Sequence, residues 1–462
     1  MSSPNTSFKA FVSWPSAPLT ASLVRNALNS LARPPEISEA LPNDIPTQDL
    51  LQWSTYDLLN HDLTYSASSS SRTLSSSYVI RKALIRKHYL ARCVSNYLVK
   101  HPESLLARGV PRTWDLELSF ADELDEMWGD ELYDLGHELD EDSADKWWIL
   151  KPGMADRGMG IRLFRSKEQL ENIFLGFEND SEDEAEEEDG TQDTSVVTSQ
   201  LRHFVIQEYL SDPVLIDPTE APLPGDTATP GDLHSGHKFH LRAYCVASGA
   251  LTVYLYDRIL ALFSAVPYSK PGDNADGEED GQPMDLAAHL TNTSLQTERG
   301  ESGVRLLDEL IGCHILSPTE GSRNEAVLTV EDVQDIKDQM SEVLAETFNA
   351  ALNMSVHYQT LPNAFELYGI DFLVTTARYS SDSKRRFQVH LLEVNSEPAI
   401  ELTGPRLTWI LQDLFVSIAR TCVEPFFSAT SDADTKDDWA VGEVRQHLRK
   451  CLQVEVRGVG GW

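Results

Sequence analysis

The two stretches ELYGIDFLV (366–374) and FQVHLLEVNSEPAI (387–400) decide how this chain folds. Both are apolar runs of strand length, and both carry polar groups where a buried strand should have none. Asp371 sits inside the first run. Glu393 and Asn395 stand two apart in the second, so a strand directs both to one face, beside Asp371. Buried carboxylates are costly unless they are paired or bound to a metal. Two carboxylates and an amide oxygen form a hard oxygen set suited to Mg2+, which keeps waters and shares ligands with phosphates. Nearby arginines could neutralise the same two acids. The metal reading is favoured because a strand of opposite charge occurs in the same chain.

That strand lies in GHKFHLRAYCVASGALTVYLYDRILALFS (236–264). Lys238, His240 and Arg242 alternate, so they share one face, while Phe239 and Leu241 point to the other. Three potentially cationic groups on one face repel each other unless an anion sits there, which indicates a phosphate or carboxylate site; solvent-facing or carboxylate-paired side chains are the bland alternative. Leu251–Tyr256 reads as the hairpin partner, with Ser248-Gly249 near the turn.

Two further segments fit a phosphate ligand. In KWWILKPGMADRGMGIRLF (146–164) an apolar run leads into Lys151, then into a turn carrying Gly153, Arg157, Gly158 and Gly160. Glycines allow close backbone approach, and exposed amides in such a loop cradle phosphate oxygens. Lys151 supplies a point charge and Arg157 a planar fork. In HFVIQEYL (203–210) an apolar strand ends in Gln207 and Glu208, followed by Tyr209 and Leu210. Such a strand end can offer backbone groups to an adenine edge. A tight hairpin with solvent-facing charges and an ordinary strand end are the plain readings of these two segments.

The rest of the chain sets these segments in place. FKAFVSW (8–14) alternates like a short strand, and SASSSSRTLSSS (66–77) reads as a serine-rich connector with little to pack. YVIRKALIRKHYLARCV (78–94) reads as a helix crowded with Arg81, Lys82, Arg86, Lys87 and Arg92, a solvated face or a candidate docking patch. Asp115 to Asp145 holds fourteen carboxylates and no Lys or Arg, with Phe120, Leu124, Met127 or Trp128, and Leu132 at helical spacing; an amphipathic acidic helix is expected. Residues 178–190, 212–236 and 267–284 read as loop insertions, the first of them strongly acidic. The predicted organisation is an N-terminal unit with its connector (1–77), a central lobe (78–210) and a C-terminal lobe (211–462), of α+β class.

The net charge of −35 argues against general nucleic-acid binding and against electrostatic capture of an acidic protein. No apolar run reaches the ~20 residues of a membrane span. Five scattered cysteines without a CxxC pair indicate reduced thiols in a cytosolic or nuclear protein, and a cytoplasmic location is expected.

In their order along the chain, ILKPGMADRGMGI, FVIQEYL, KFHLRAY with VYLYDRILALFS, HLTNTSLQ, and YGIDFLV with LLEVNSEPAI resemble the tubulin–tyrosine ligase family of ATP-grasp ligases. The resemblance spans about residues 146–400, and RKALIRKHYL upstream and PRLTWILQDLF downstream also fit. It implies two α+β lobes clamping ATP. Lys151 and the Arg157–Gly160 loop would hold phosphates, and Gln207, Glu208, Tyr209 and Leu210 would border the adenine. Lys238 and Arg242 would act catalytically on the nucleotide phosphates and the reacting carboxylate. Thr291 and Asn292 would lie near the γ-phosphate, and Asp371, Glu393 and Asn395 would hold Mg2+. The implied reaction phosphorylates a carboxylate with ATP and passes the acyl group to an amine. The implied partners are a free amino acid and a protein acceptor, tubulin being the family's example.

Two positions depart from the family. An arginine that helps to bind the amino acid is expected near Leu262, and the only arginine nearby is Arg258. His240 stands where an aspartate is common. These departures keep a second reading open, an interaction module that retains the fold and ATP binding without catalysis. A small-molecule ligase is a third.

Overall fold

The computed structural model describes residues 8–41, 48–65, 71–141, 146–153, 160–183, 202–224, 235–272, 286–291, 301–317, 326–377, 385–428 and 439–454, and these build three sheets. The first is wholly parallel, in the order β2 (Glu36–Ser38), β1 (Lys9–Ser13), β3 (Leu50–Ser54), β4 (Thr73–Ser75). Parallel neighbours need crossovers. The helix Pro18–Asn29 supplies the first, with proline at its start and Leu23, Val24, Ala27 and Leu28 buried. The serine-rich stretch is therefore corrected: residues 71–77 are not a bare connector, because β4 is buried along its length. Its hydroxyls are satisfied internally, Ser75 Oγ by Gln52 Nε2 at 3.2 Å and Thr64 Oγ1 at 2.7 Å, and small satisfied side chains can close a sheet edge.

The second sheet is antiparallel, in the order β5 (Thr113–Glu117), β8 (His203–Glu208), β6 (Trp148–Pro152), β7 (Arg162–Phe164). The helix Lys167–Asp183 packs Leu170, Phe174 and Phe177 against Trp148, Leu150, Phe204 and Ile206. The single acidic helix expected over 115–145 does not form. Its start is β5, and the helical part splits into Leu124–Met127 and Tyr133–Asp140 around a turn at Gly129. Leu124 and Leu132 are buried as the periodicity predicts, whereas Phe120 is exposed.

The third sheet has nine strands: β9 (Leu215–Ile216), β10 (His237–Ser248), β11 (Thr252–Tyr256), β12 (Leu260–Phe263), β13 (Val304–Leu306), β14 (Phe365–Thr376), β15 (Phe387–Ser396), β16 (Val444–Arg445) and β17 (Leu448–Gln453). The long strand β10 organises it. Along one edge its first half pairs β12 and its second half β11; along the other it pairs β14, which pairs β15. Helices cover both faces. Ile336, Met340, Leu344 and Phe348 of the helix Val330–Leu352 pack against Leu241, Ala243 and Ile370. Leu411, Leu414 and Phe415 of the helix Thr408–Ile418 join Tyr244, Val246 and Phe365 on the other face. Among the described residues no helix is long and apolar enough to cross a membrane.

Candidate active site

The site forms where β10, β14 and β15 run side by side. Asp371 stands opposite Glu393 across β14 and β15, and Gly369 opposite Asn395. The register then slips, Phe372 pairing Leu391, so a bulge lies beside Asp371. A bulge next to a site re-aims side chains that a regular ladder would spread apart. The Asn395 amide donates to Asp371 Oδ2 at 3.4 Å and to Glu393 Oε1 at 3.2 Å, so the three side chains converge as the sequence spacing predicts.

Cations surround this set. Arg242 lies opposite Asp371 and donates from Nε to Oδ1 at 2.5 Å and from Nη2 to Oδ2 at 3.0 Å. Lys87 Nζ is 3.3 Å from Glu393 Oε2. Burial pushes the Glu393 carboxyl up, but Lys87 and Lys151 outweigh it and hold the group well below the usual carboxylate range. Lys151 reaches across from β6, donating to Gln207 Oε1 at 2.7 Å, and Gln207 in turn donates to Thr113 Oγ1 at 3.1 Å. Lys238 on β10 donates to the Tyr209 hydroxyl at 3.2 Å and lies 4.4 Å from that ring's centre; the same hydroxyl is 2.9 Å from His289 Nδ1. Desolvation lowers the Lys151 ammonium to about 8. It lowers Lys238 to about 7, with Lys151 adding repulsion. Two lysines from two sheets are thus desolvated and close enough to repel each other, a setting that favours an anion. His240 lies between them and the acids, its Nε2 3.6 Å from Asp371 Oδ1 and its Nδ1 bonded to Thr291 Oγ1, with burial lowering its pKa.

The donor set fits Mg2+. Among the described residues no group of three or more His, Cys, Asp or Glu gathers as a metal cage. Asp371 is paired with Arg242 and Glu393 with Lys87, the neutralised arrangement that the sequence left open; with the Asn395 amide turned by a half-rotation, the same two carboxylates and amide would offer Mg2+ a partial oxygen shell to complete with water and phosphate.

The family model described as "Tubulin-tyrosine ligase family" matches residues 76–431. The chain belongs to the tubulin–tyrosine ligase family. A "Probable tubulin--tyrosine ligase" of Schizosaccharomyces pombe is 36% identical over 393 residues, covering 82% of this chain and 84% of that protein. A second "Probable tubulin--tyrosine ligase", PBY1 of Saccharomyces cerevisiae, is 37% identical over 365 residues, covering 76% of this chain and 43% of that longer protein. The crystal structure of the C-terminal domain of K. lactis Pby1, described as an ATP-grasp enzyme interacting with the mRNA decapping enzyme Dcp2, superposes with a TM-score of 0.63 at 27% identity. That match covers 97% of this chain and 99% of the Pby1 domain. The fold is therefore α+β and of ATP-grasp type.

Seen as a tubulin–tyrosine ligase family member, the chain keeps most expected groups near one another. Lys151, Lys238, Arg242, Thr291, Asp371, Glu393 and Asn395 belong to one linked cluster. Gly153 is required in the turn after Lys151, since a Cβ there would sit 2.7 Å from His88 Nδ1 and 3.0 Å from the His203 carbonyl. Gly160 has φ +70°, a conformation natural to glycine. Arg157, Gly158 and Asn292 lie outside the described residues. On the strand end beyond β8, the Glu208 and Tyr209 amides already donate to the Arg112 and Trp147 carbonyls, and the Glu208 carboxylate binds Arg112. Leu262 is buried opposite His240, and Arg258 is turned away to Asp413 and stacked over Trp409.

Sequence reasoning missed Lys87. Its pattern places it in one basic helix, a solvated face or a docking patch, but that stretch breaks at Arg86 into helices Lys82–Ile85 and Lys87–Lys100 and its cations scatter. Arg81 is buried on Glu366, Lys87 turns to Glu393, and Arg92 pairs with Asp115. Tyr268 and His289, around Lys238 and Tyr209, were not singled out either: Tyr268 falls in a stretch that reads as a loop insertion, and of HLTNTSLQ only Thr291 and Asn292 received roles.

Proposed function

We propose that this chain is an ATP-dependent ligase that forms an amide bond through an acyl phosphate, adding an amino acid to a protein. The observation that carries the reading is that Lys151 and Lys238, on strands of two different sheets, act on each other electrostatically, and that Lys151 also acts on Glu393, which Asn395 ties to Asp371. A triphosphate would give both desolvated lysines anionic oxygens, and the neighbouring oxygen set suits the cation that travels with it.

In this scheme the terminal phosphoryl group of ATP passes to a carboxylate oxygen, giving ADP and an acyl phosphate. An amine then attacks the acyl carbon, the phosphate leaves with the bonding pair, and the amine loses a proton. Lys151 and Lys238 bind phosphate oxygens. Arg242, fixed by its fork on Asp371, presents its remaining N–H face to the reacting carboxylate. Asp371, Glu393 and Asn395 would hold Mg2+, which when bound offsets charge on the transferring group. Closure of the two lobes excludes the water that would hydrolyse the intermediate. Gln207, Glu208, Tyr209 and Leu210, at the end of β8 and just beyond it, border the adenine, and Thr291 lies toward the phosphates. The overall charge of −35 opposes an acidic acceptor such as a tubulin tail, so tubulin is the weaker candidate acceptor.

A non-catalytic scaffold that keeps ATP binding is the second reading, favoured by Leu262 and by the engagement of Arg258 elsewhere. Hydroxylamine trapping separates the two. A ligase incubated with ATP, Mg2+ and a protein extract yields protein hydroxamates and ADP in equal amounts, and Asp371→Ala abolishes both. ATP binding with no hydroxamate and no ADP would establish the scaffold.

A further inference from the structure

A cavity of about 220 Å³ opens between the first sheet and the third, on the sheet face that carries Asp371. Trp53, Phe365 and Phe415 form its interior, with ring centres 5.2 Å apart for Trp53–Phe365 and 5.9 Å for Trp53–Phe415. Trp14 lines it as well, and the buried Trp14 Nε1 finds no acceptor among the described residues. At the mouth stand Glu397 and Glu401, both exposed, and neither makes an ion pair with a described residue. Both are nonetheless fixed. Glu397 Oε1 accepts the Tyr56 N–H at 2.7 Å and Glu401 Oε1 the Thr20 N–H at 2.9 Å, pinning the two carboxylates across the domain junction. Glu397 has φ +50°, a left-handed conformation that non-glycine residues adopt at a cost and that collects at functional sites.

The cavity adjoins the active site on this face. Phe365, Leu367, Gly369 and Asp371 alternate onto one face of β14. Gly369 joins the two regions: a Cβ there would fall 2.8 Å from Pro398, a wall of the cavity, and 3.5 Å from Arg242 Cδ. At ~3.3 Å per residue, the cavity lies roughly 13–20 Å from Asp371, the span of four to six extended residues.

We infer that this cavity anchors the acceptor polypeptide by a large apolar side chain flanked by lysine or arginine, four to six residues from the group that reacts. The aromatic interior takes the apolar side chain. Trp14 adds a further aromatic wall to that interior. The two fixed carboxylates meet the basic neighbours, a charge complementarity that an acidic tail reverses. The spacing rests on the ligase reading; the cavity and its charge do not.

The test is fluorescence anisotropy with labelled peptides in which a Lys-Phe-Lys unit is set two, five or eight Gly/Ser residues from a free C-terminus, alongside matched Glu-Phe-Glu peptides. The five-residue Lys-Phe-Lys peptide binds at least tenfold tighter than its Glu counterpart. Trp14→Ala and Glu397→Gln each weaken it at least fivefold while stabilisation by ATP and Mg2+ persists, which shows that both variants are folded. Binding indifferent to flanking charge or to both substitutions overturns the inference, and so does equal competition by free phenylalanine, which makes the cavity an amino-acid pocket. Peptide binding as predicted without any response to ATP counts against the ligase reading alone.

Discussion

Arg242 grips Asp371 from directly across the β10–β14 pair, Nε on one carboxylate oxygen and Nη2 on the other. Both side chains are largely buried, at 15% and 8% exposure, so each is the other's compensation for leaving water. The fork also fixes the orientation of a carboxylate that a metal would share.

Cutting one partner leaves the other as an uncompensated buried charge. Arg242→Gln and Asp371→Asn are each expected to destabilise the protein by about 3–5 kcal/mol in urea unfolding, and the double variant by clearly less than their sum. Additive losses would show that the pair is not coupled.

Nucleotide binding should take up protons. In the free protein Lys151 holds its proton only below about 8 and Lys238 only below about 7, because both are desolvated. A bound phosphate stabilises the charged forms and raises both values. Affinity for ATP is therefore greatest below pH 7 and declines as pH rises through 7 to 8 and beyond. Calorimetry at pH 8.5 in buffers of different ionisation enthalpy should register uptake of about one to two protons. Proton release would contradict the assigned environment.

Lys87 is predicted to belong to the site and not to a docking surface. Lys87→Ala removes a charged partner of Glu393 from the proposed nucleotide site, so ATP binding should weaken by about tenfold or more. Lys82→Ala, on an exposed neighbour, should leave it unchanged.

Gly369→Ala places a methyl group against Pro398 and is expected to cost about 1–3 kcal/mol in stability. If the cavity is an anchor site, the same change weakens Lys-Phe-Lys peptide binding by moving the Pro398 wall.

What could be read in the sequence was whatever alternation and spacing encode. The shared face of Lys238, His240 and Arg242, the pairing of Glu393 with Asn395, and the hairpin after Ser248 follow from period-two geometry, and the structure keeps each of them. Contacts distant in sequence escaped. The turn of Lys87 toward Glu393 depends on where the chain breaks at Arg86. The burial of Thr73–Ser75 depends on partners Gln52 and Thr64, which composition cannot supply. The acidic stretch failed as one helix because its first residues complete the β5–β8 pairing, and tertiary pairing overrides an amphipathic pattern.

If Lys151 and Glu393 belong to one nucleotide site, thermal unfolding with ATP and Mg2+ will register it. Ligand at a hundred times its dissociation constant stabilises the folded state by about 2.7 kcal/mol. A clear upward shift is expected for the wild-type protein and is expected to be lost in both Lys151→Ala and Glu393→Ala. No shift in the wild type, or a shift that survives both substitutions, would show that the two residues do not form such a site.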